Sequence, residues 1–157
     1  MPARTLFVGL GSPQGDDLAG WQVADGVSKE CADTRELSVR RAALPLDLLD
    51  WLEGIERLAL CDACQGGGSP GHWQSWTWPN LPVERLRVRG SHDFGVAAVL
   101  DLAARLGRLP AEVQVWGIEL SDASYASDPS PAVARAVTQV IADVCRVLLL
   151  PRKTCHA

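Results

Sequence analysis

No stretch of this sequence approaches the length of a membrane span, no run of basic residues occurs, and its cysteines follow no regular spacing. An apolar run such as "VLLL" after Cys145 falls far short of the roughly 20 residues a spanning helix needs. Asp and Glu outnumber Lys and Arg 19 to 15, and the net charge is −4. That balance lacks the electrostatic footprint of a nucleic-acid binder. "MPARTLFVGLG" passes from a short apolar run straight into a glycine turn, without the apolar core and small-residue cleavage site of a secretory leader. Five cysteines, an odd number, do not make a disulfide framework and suit a reducing compartment. A soluble cytoplasmic protein is expected, with neither nucleic acid nor membrane as a partner.

What is present points to one globular unit. Of 157 residues, 47% are hydrophobic and 22% charged, ordinary values for a folded domain. A chain of this length buries about 70% of its unfolded surface around one core. Residues 1–150 are expected to form a single α/β domain and 151–157 a mobile tail, because "RKTCHA" after Pro151 has no helical pattern.

Along the chain, short apolar runs alternate with helical periodicity. "TLFVGLG" reads as a first strand, followed by a helix over 17–31 with Leu18, Trp21, Ala24 and Val27 at near-helical spacing. "RELSVRRA" suits a second strand. Pro45 suits the first turn of a short helix carrying Leu48, Leu49 and Leu52, with Gly54 at its end. "ERLALCDA" reads as a third strand stopping at Asp62, and "HWQSWTW" as a strand with Trp76 and Trp78 on its buried face. "ERLRVRG" suits another strand. From Ser91, residues Val96, Val99, Leu100, Ala103 and Leu106 mark the cleanest helix. "EVQVWGIEL" then reads as a strand, and Val133 to Leu148 as a final helix. Strands separated by helices imply a largely parallel sheet covered on both faces. The Trp-rich strand, reached without a helix, is expected to be antiparallel or at an edge.

In open sheets of this kind, ligands bind beyond the carboxyl ends of the strands. Asp17 ends the loop after the first strand, Asp62 ends the third, and His92 follows "LRVRG" at the start of the best helix. Two carboxylates and an imidazole form a ligand set suited to zinc, nickel or iron. Each residue also has a plainer reading. Asp16 or Asp17 would cap the first helix, Asp62 would close an Asx turn, and His92 would simply begin a helix.

Other motifs carry less. Gly9-Leu10-Gly11 opens a dinucleotide fingerprint, yet Gln14 stands where a third glycine is needed, and Asp16 and Asp17 would face a pyrophosphate. Gly67 to Gly71 spells G-x-S-x-G, but a Trp-rich strand follows where the serine hydrolases need a helix. Cys61 and Cys64 could supply thiolates or form a redox pair, though a lone C-x-x-C is weak and Cys61 reads as core. His72, beside the Trp strand, reads as a surface or supporting residue.

Taken together, "GLGSPQGDDLAG", "CDACQGGGSPG", "SHDFGVAAVLDLAARLGRLP", "VWGIEL" and "DPSPAVARAV" resemble, in order, the hydrogenase maturation proteases. These endopeptidases trim the C-terminal extension of the large subunit of nickel-iron hydrogenases. The resemblance implies a three-layer α/β/α sandwich, phosphorylase/hydrolase-like, with a largely parallel sheet. It also implies a metal site of Asp17, Asp62 and His92 that recognises nickel already installed in the precursor, or another divalent metal in its place. Asp17, Asp62 and His92 are then the catalytic set, with Asp16 orienting water or capping. Two departures stand out. Ser12 replaces the usual asparagine in a loop one residue shorter, and Cys61 and Cys64 lie outside the common pattern. The alternative on the same fold is a nickel-sensing module without proteolysis. Nucleotide binding and thiol redox chemistry are further rivals.

Overall fold

The computed structural model describes residues 4–82, 86, 95–121 and 128–150. Strand β1 (Thr5–Leu10) leads through a 3₁₀ turn (Gly15–Leu18) into helix α1 (Ala19–Glu30) and strand β2 (Leu37–Ala42). A second 3₁₀ turn (Pro45–Asp50) precedes β3 (Arg57–Cys64) and β4 (Trp73–Thr77), followed by α2 (Val96–Arg105), β5 (Glu112–Glu119) and α3 (Pro131–Leu149). The strands form one sheet in the order β2-β1-β3-β5-β4. All neighbours run parallel except β4, which pairs antiparallel with β5 at the edge. This is the expected α/β sheet with its one antiparallel edge strand.

Burial follows from position in the sheet. The central strands β1, β3 and β5 are near-continuous apolar runs because both of their faces are covered. Strand β2 at the opposite edge alternates instead, and it places Arg40 and Arg41 outward, charges that discourage pairing with another chain. One core lies between the sheet and α1 with α3, centred on Phe7, Val23, Trp116 and Val140. The other lies beneath α2 and the second 3₁₀ turn, centred on Val8, Leu48, Leu60 and Leu100. Two helical layers thus sandwich the sheet.

Several elements differ in detail from the expectation. Helix α1 begins at Ala19, and its buried stripe is Ala19, Gly20, Val23, Ala24 and Val27, with Leu18 and Trp21 only partly covered. The stripe turns this way because Gly20 lies directly on β1. A Cβ at Gly20 would sit 1.9 Å from the Leu10 carbonyl oxygen, and one at Gly9 would sit 2.0 Å from that of Gly20. These two glycines let helix and strand backbones touch, so their spacing reflects packing. The Pro45 segment is a six-residue 3₁₀ connector in place of a short α-helix, longer than such runs usually are. Strand β3 continues past Asp62 to Cys64, held by pairing with β5. Leu106 lies beyond the end of α2, where Gly107 turns the chain at φ +70, and is 53% exposed.

Of "ERLRVRG", only Leu86 is described, as a single antiparallel bridge to Cys64. The rest of that segment and the tail 151–157 lie outside the described residues. Among the described residues, no helix is long and apolar enough to cross a membrane.

Candidate active site

The sheet order creates a place for a site before any side chain is considered. Strand β1 is followed by α1 and β2 on one side of it, whereas the neighbour of β3 on its other side is β5. Connections leaving β1 and β3 therefore diverge, and the crevice beyond their carboxyl ends is the usual ligand position in such sheets. The "GSPQGDD" loop leaves β1 there. Gly9 pairs with Cys61, so Asp62 is the next residue toward the same rim.

The loop is drawn tight by its own backbone. The Ser12 N–H donates to the Asp17 carbonyl at 3.1 Å, and the Asp17 N–H to the Gln14 carbonyl at 3.1 Å. A Cβ at Gly11 would lie 2.3 Å from that same Asp17 carbonyl, and Gly15 adopts φ +54. Both positions thus require glycine. The loop is also tied to β2, since Gly11 N–H and Trp21 Nε1–H both donate to the Ala42 carbonyl at 3.1 Å. Asp17 sits in the 3₁₀ turn just ahead of α1 and is partly exposed.

Asp16 is 1% exposed. Its Oδ2 accepts the Ser121 N–H at 2.8 Å and the Ser121 hydroxyl at 2.5 Å, and its Oδ1 accepts the Ser130 N–H at 2.6 Å. Burial opposes its charge, but the bonds from Ser121 and Ser130 outweigh that cost and hold its pKa below the usual carboxylate value. The carboxylate makes no cap bond to its own helix. Its donors belong to the end of β5 and the residue preceding α3.

Asp62 is buried, and its Oδ1 accepts the Ala63 N–H at 2.8 Å. An Asx turn would engage the N–H two residues on; here the acceptor meets the next residue and the chain continues as strand to Cys64, so Asp62 does not close a turn. His92 lies outside the described residues. Helix α2 starts at Val96 behind an extended Gly95. Among the described residues, no three His, Cys, Asp or Glu side chains gather as a metal site.

Cys61 and Cys64 face opposite ways. Cys61 packs in the core under α1 and α3, Cys64 in the core under α2, as three-residue spacing on a strand requires. They cannot pair with each other. Cys61 is fully buried, and burial pushes its thiol far above the ordinary range. The G-x-S-x-G string leads into strand β4 and not into the helix that a serine hydrolase needs.

One acidic residue at this rim escaped the sequence reading. Glu119, the last residue of β5, is 1% exposed, and its Oε1 accepts the Gly67 N–H at 2.7 Å. The Cys64 thiol lies 3.5 Å from the same oxygen. The strand-end rule that selected Asp62 applies equally to the glutamate closing "VWGIE".

The sequence profile of a family described as HycI, hydrogenase maturation protease, matches residues 42–147. Asp62 and His92 fall within that span, and the loop bearing Asp16 and Asp17 precedes it. The fold is similar to the hydrogenase maturating endopeptidase HybD from E. coli at 18% identity and a TM-score of 0.75, covering 92% of this chain and 91% of that one. It is similar to the HybD protease of Thermococcus kodakarensis at 18% identity and a TM-score of 0.65, covering 92% and 98%. A hydrogenase 2 maturation peptidase from a Thaumarchaeota archaeon matches at 22% identity and a TM-score of 0.67, covering 94% and 99%. No curated protein matches in sequence. With the profile spanning most of the chain and the fold shared with solved hydrogenase maturation proteases, this protein belongs to the hydrogenase maturation protease family and is a peptidase.

Proposed function

We propose that this peptidase removes the C-terminal extension of a nickel-iron hydrogenase large-subunit precursor after nickel insertion, with Asp17, Asp62 and His92 as ligands to the nickel the precursor carries. The observation that supports this is the placement of the Asp17 loop and Asp62 at the carboxyl ends of adjacent strands, where the chain diverges. Two carboxylates balance the charge of a divalent ion, and with one imidazole they leave coordination positions for the precursor's own ligands. Other divalent ions suit the same donors. Such a shared ion would dock the scissile segment and polarise its carbonyl.

Each residue then has a distinct task. Asp17 presents its carboxylate from a turn closed by Gly11 and Ser12. Asp62 stands on the rigid central strand, its carboxylate oriented by the Ala63 N–H. Asp16 holds the turn in place, since its oxygens are engaged by Ser121 and Ser130. It is therefore a positioning residue and is assigned no water. A cytoplasmic setting follows from the same reading.

The test is incubation of the parent and His92→Ala with nickel-loaded and nickel-free precursor. The parent should process only the loaded form, and His92→Ala neither. Equal processing by both proteins would overturn the ligand assignment. Nickel-dependent binding of an uncut precursor by the parent would instead favour a sensing role, against the family's peptidase character.

A further inference from the structure

We propose that Glu119 is a positioning residue of this peptidase: its buried carboxylate fixes loop 65–71 as the wall beside Asp62, along which the main chain of the precursor's C-terminal segment lies. This rests on the function proposed above. The loop leaves β3 just past Asp62, and the register pairs Asp62 with Gly117 and Cys64 with Glu119. Glu119 therefore stands two residues farther toward the rim than the strand position opposite Asp62.

The loop is fastened to this one residue at its centre and at its return. The carboxylate accepts the Gly67 N–H at 2.7 Å. The Glu119 carbonyl accepts the Gly71 N–H at 2.9 Å, and the Glu119 N–H donates to the His72 carbonyl at 2.8 Å. Around those anchors Gln65, Gly66, Gly68, Ser69 and Pro70 are exposed; no atom lies within 4 Å of where a Cβ on Gly66 would be, while one on Gly68 would meet the His72 ring at 3.3 Å. Such a strip presents peptide groups with few side chains in front of them, a surface suited to an extended main chain. Without an anchor, a glycine-rich strip loses its shape through backbone entropy. Burying a carboxylate is costly unless it is hydrogen-bonded or paired, and the Gly67 N–H is such a partner.

The test compares the parent, Glu119→Ala and Glu119→Gln on nickel-loaded precursor, with amide exchange of the loop measured by NMR. Glu119→Ala should raise KM about tenfold while kcat changes less than about threefold. Glu119→Gln should restore KM to within about threefold of the parent, because its Oε1 still accepts the Gly67 N–H. In the parent, the Gly67 amide should exchange far more slowly than those of Gly66 and Gly68, and in Glu119→Ala it should join them. A folded Glu119→Ala with parental KM, a Glu119→Gln that recovers nothing, or a parental Gly67 amide as fast as Gly66 would each overturn the proposal. The last measurement needs no variant, so it decides even if Glu119→Ala fails to fold. A parent that leaves the precursor uncut counts against the proposed function, whereas a cutting parent matched by Glu119→Ala counts against Glu119 alone.

Discussion

The Oδ1 of Asp16 accepts the Ser130 N–H at 2.6 Å, joining the turn after β1 to the start of α3 across 114 residues of chain. With Ser121 on the other oxygen, one carboxylate gathers three segments at the rim. Asp16→Ala should therefore cost about 1.5–3 kcal/mol, the range for hydrogen bonds to a charged group. Urea unfolding would measure it, and a loss below about 0.5 kcal/mol would contradict the role.

The same contact has a pH signature. The folded pKa of Asp16 lies below its usual 3.8, so its stabilisation is complete above the unfolded value and disappears as pH falls through the folded one. The stability gap between the parent and Asp16→Asn should be constant from pH 7 to pH 5 and should shrink below about pH 4. A gap that persists at the lowest pH would exclude ionisation as its source.

Asp62→Asn offers a clean separation of charge from shape. Its amide oxygen can still accept the Ala63 N–H that Asp62 accepts at 2.8 Å, so folding should change little. Processing of nickel-loaded precursor should fall about 10²-fold or more, as expected when the reacting segment is no longer held in place. Parental turnover in a folded Asp62→Asn would remove this residue from the ligand set.

Gly20→Ala should be among the most damaging single-methyl changes. The added Cβ would meet the Leu10 carbonyl oxygen at 1.9 Å, and backbone on both sides prevents relief by side-chain motion. A loss of about 1–3 kcal/mol is expected, with reduced processing as the Asp17 turn moves. Thermal unfolding and turnover, measured together, check both.

The thiols of Cys31 and Cys145 lie 3.1 Å apart, and burial together with the Cys31 contact pushes the Cys145 thiol up to about 12. Its thiolate is correspondingly scarce at neutral pH. Alkylation of Cys145 at pH 8 should be about 10²-fold slower than that of glutathione, even after allowing for the higher nucleophilicity of a basic thiolate. Unfolding in urea should abolish the difference, and mass spectrometry of the modified peptide would report it.

Much of the layering was legible along the chain because burial on two faces favours near-continuous apolar runs, and "TLFV", "LALC" and "VQVWGI", broken only at Gln114, are such runs. The edge position of "HWQSWTW" was legible too, from its alternation and from the absence of a helix before it. Where local pattern misled, a neighbour was responsible. Leu18 and Trp21 have helical spacing, but contact at Gly20 rotates α1 toward Ala19 and Val23. Of the Asp16-Asp17 pair, the structure buries the first, whose carboxylate is held by Ser121 and Ser130, and leaves the second partly exposed. Nothing along the chain tells Asp16 from Asp17 chemically.

By itself, then, the order of residues determined the alternation of strands and helices, the apolar stripes, and the presence of acids just beyond strand ends. These depend on periodicity and on neighbours a few positions away. Only the tertiary structure decided that Asp16 bonds Ser121 and Ser130 and that Glu119 grips Gly67. Each of those outcomes needs the register of β3 against β5 or the seating of α3. Register and seating are settled by packing between segments that are remote in sequence, which no local pattern encodes.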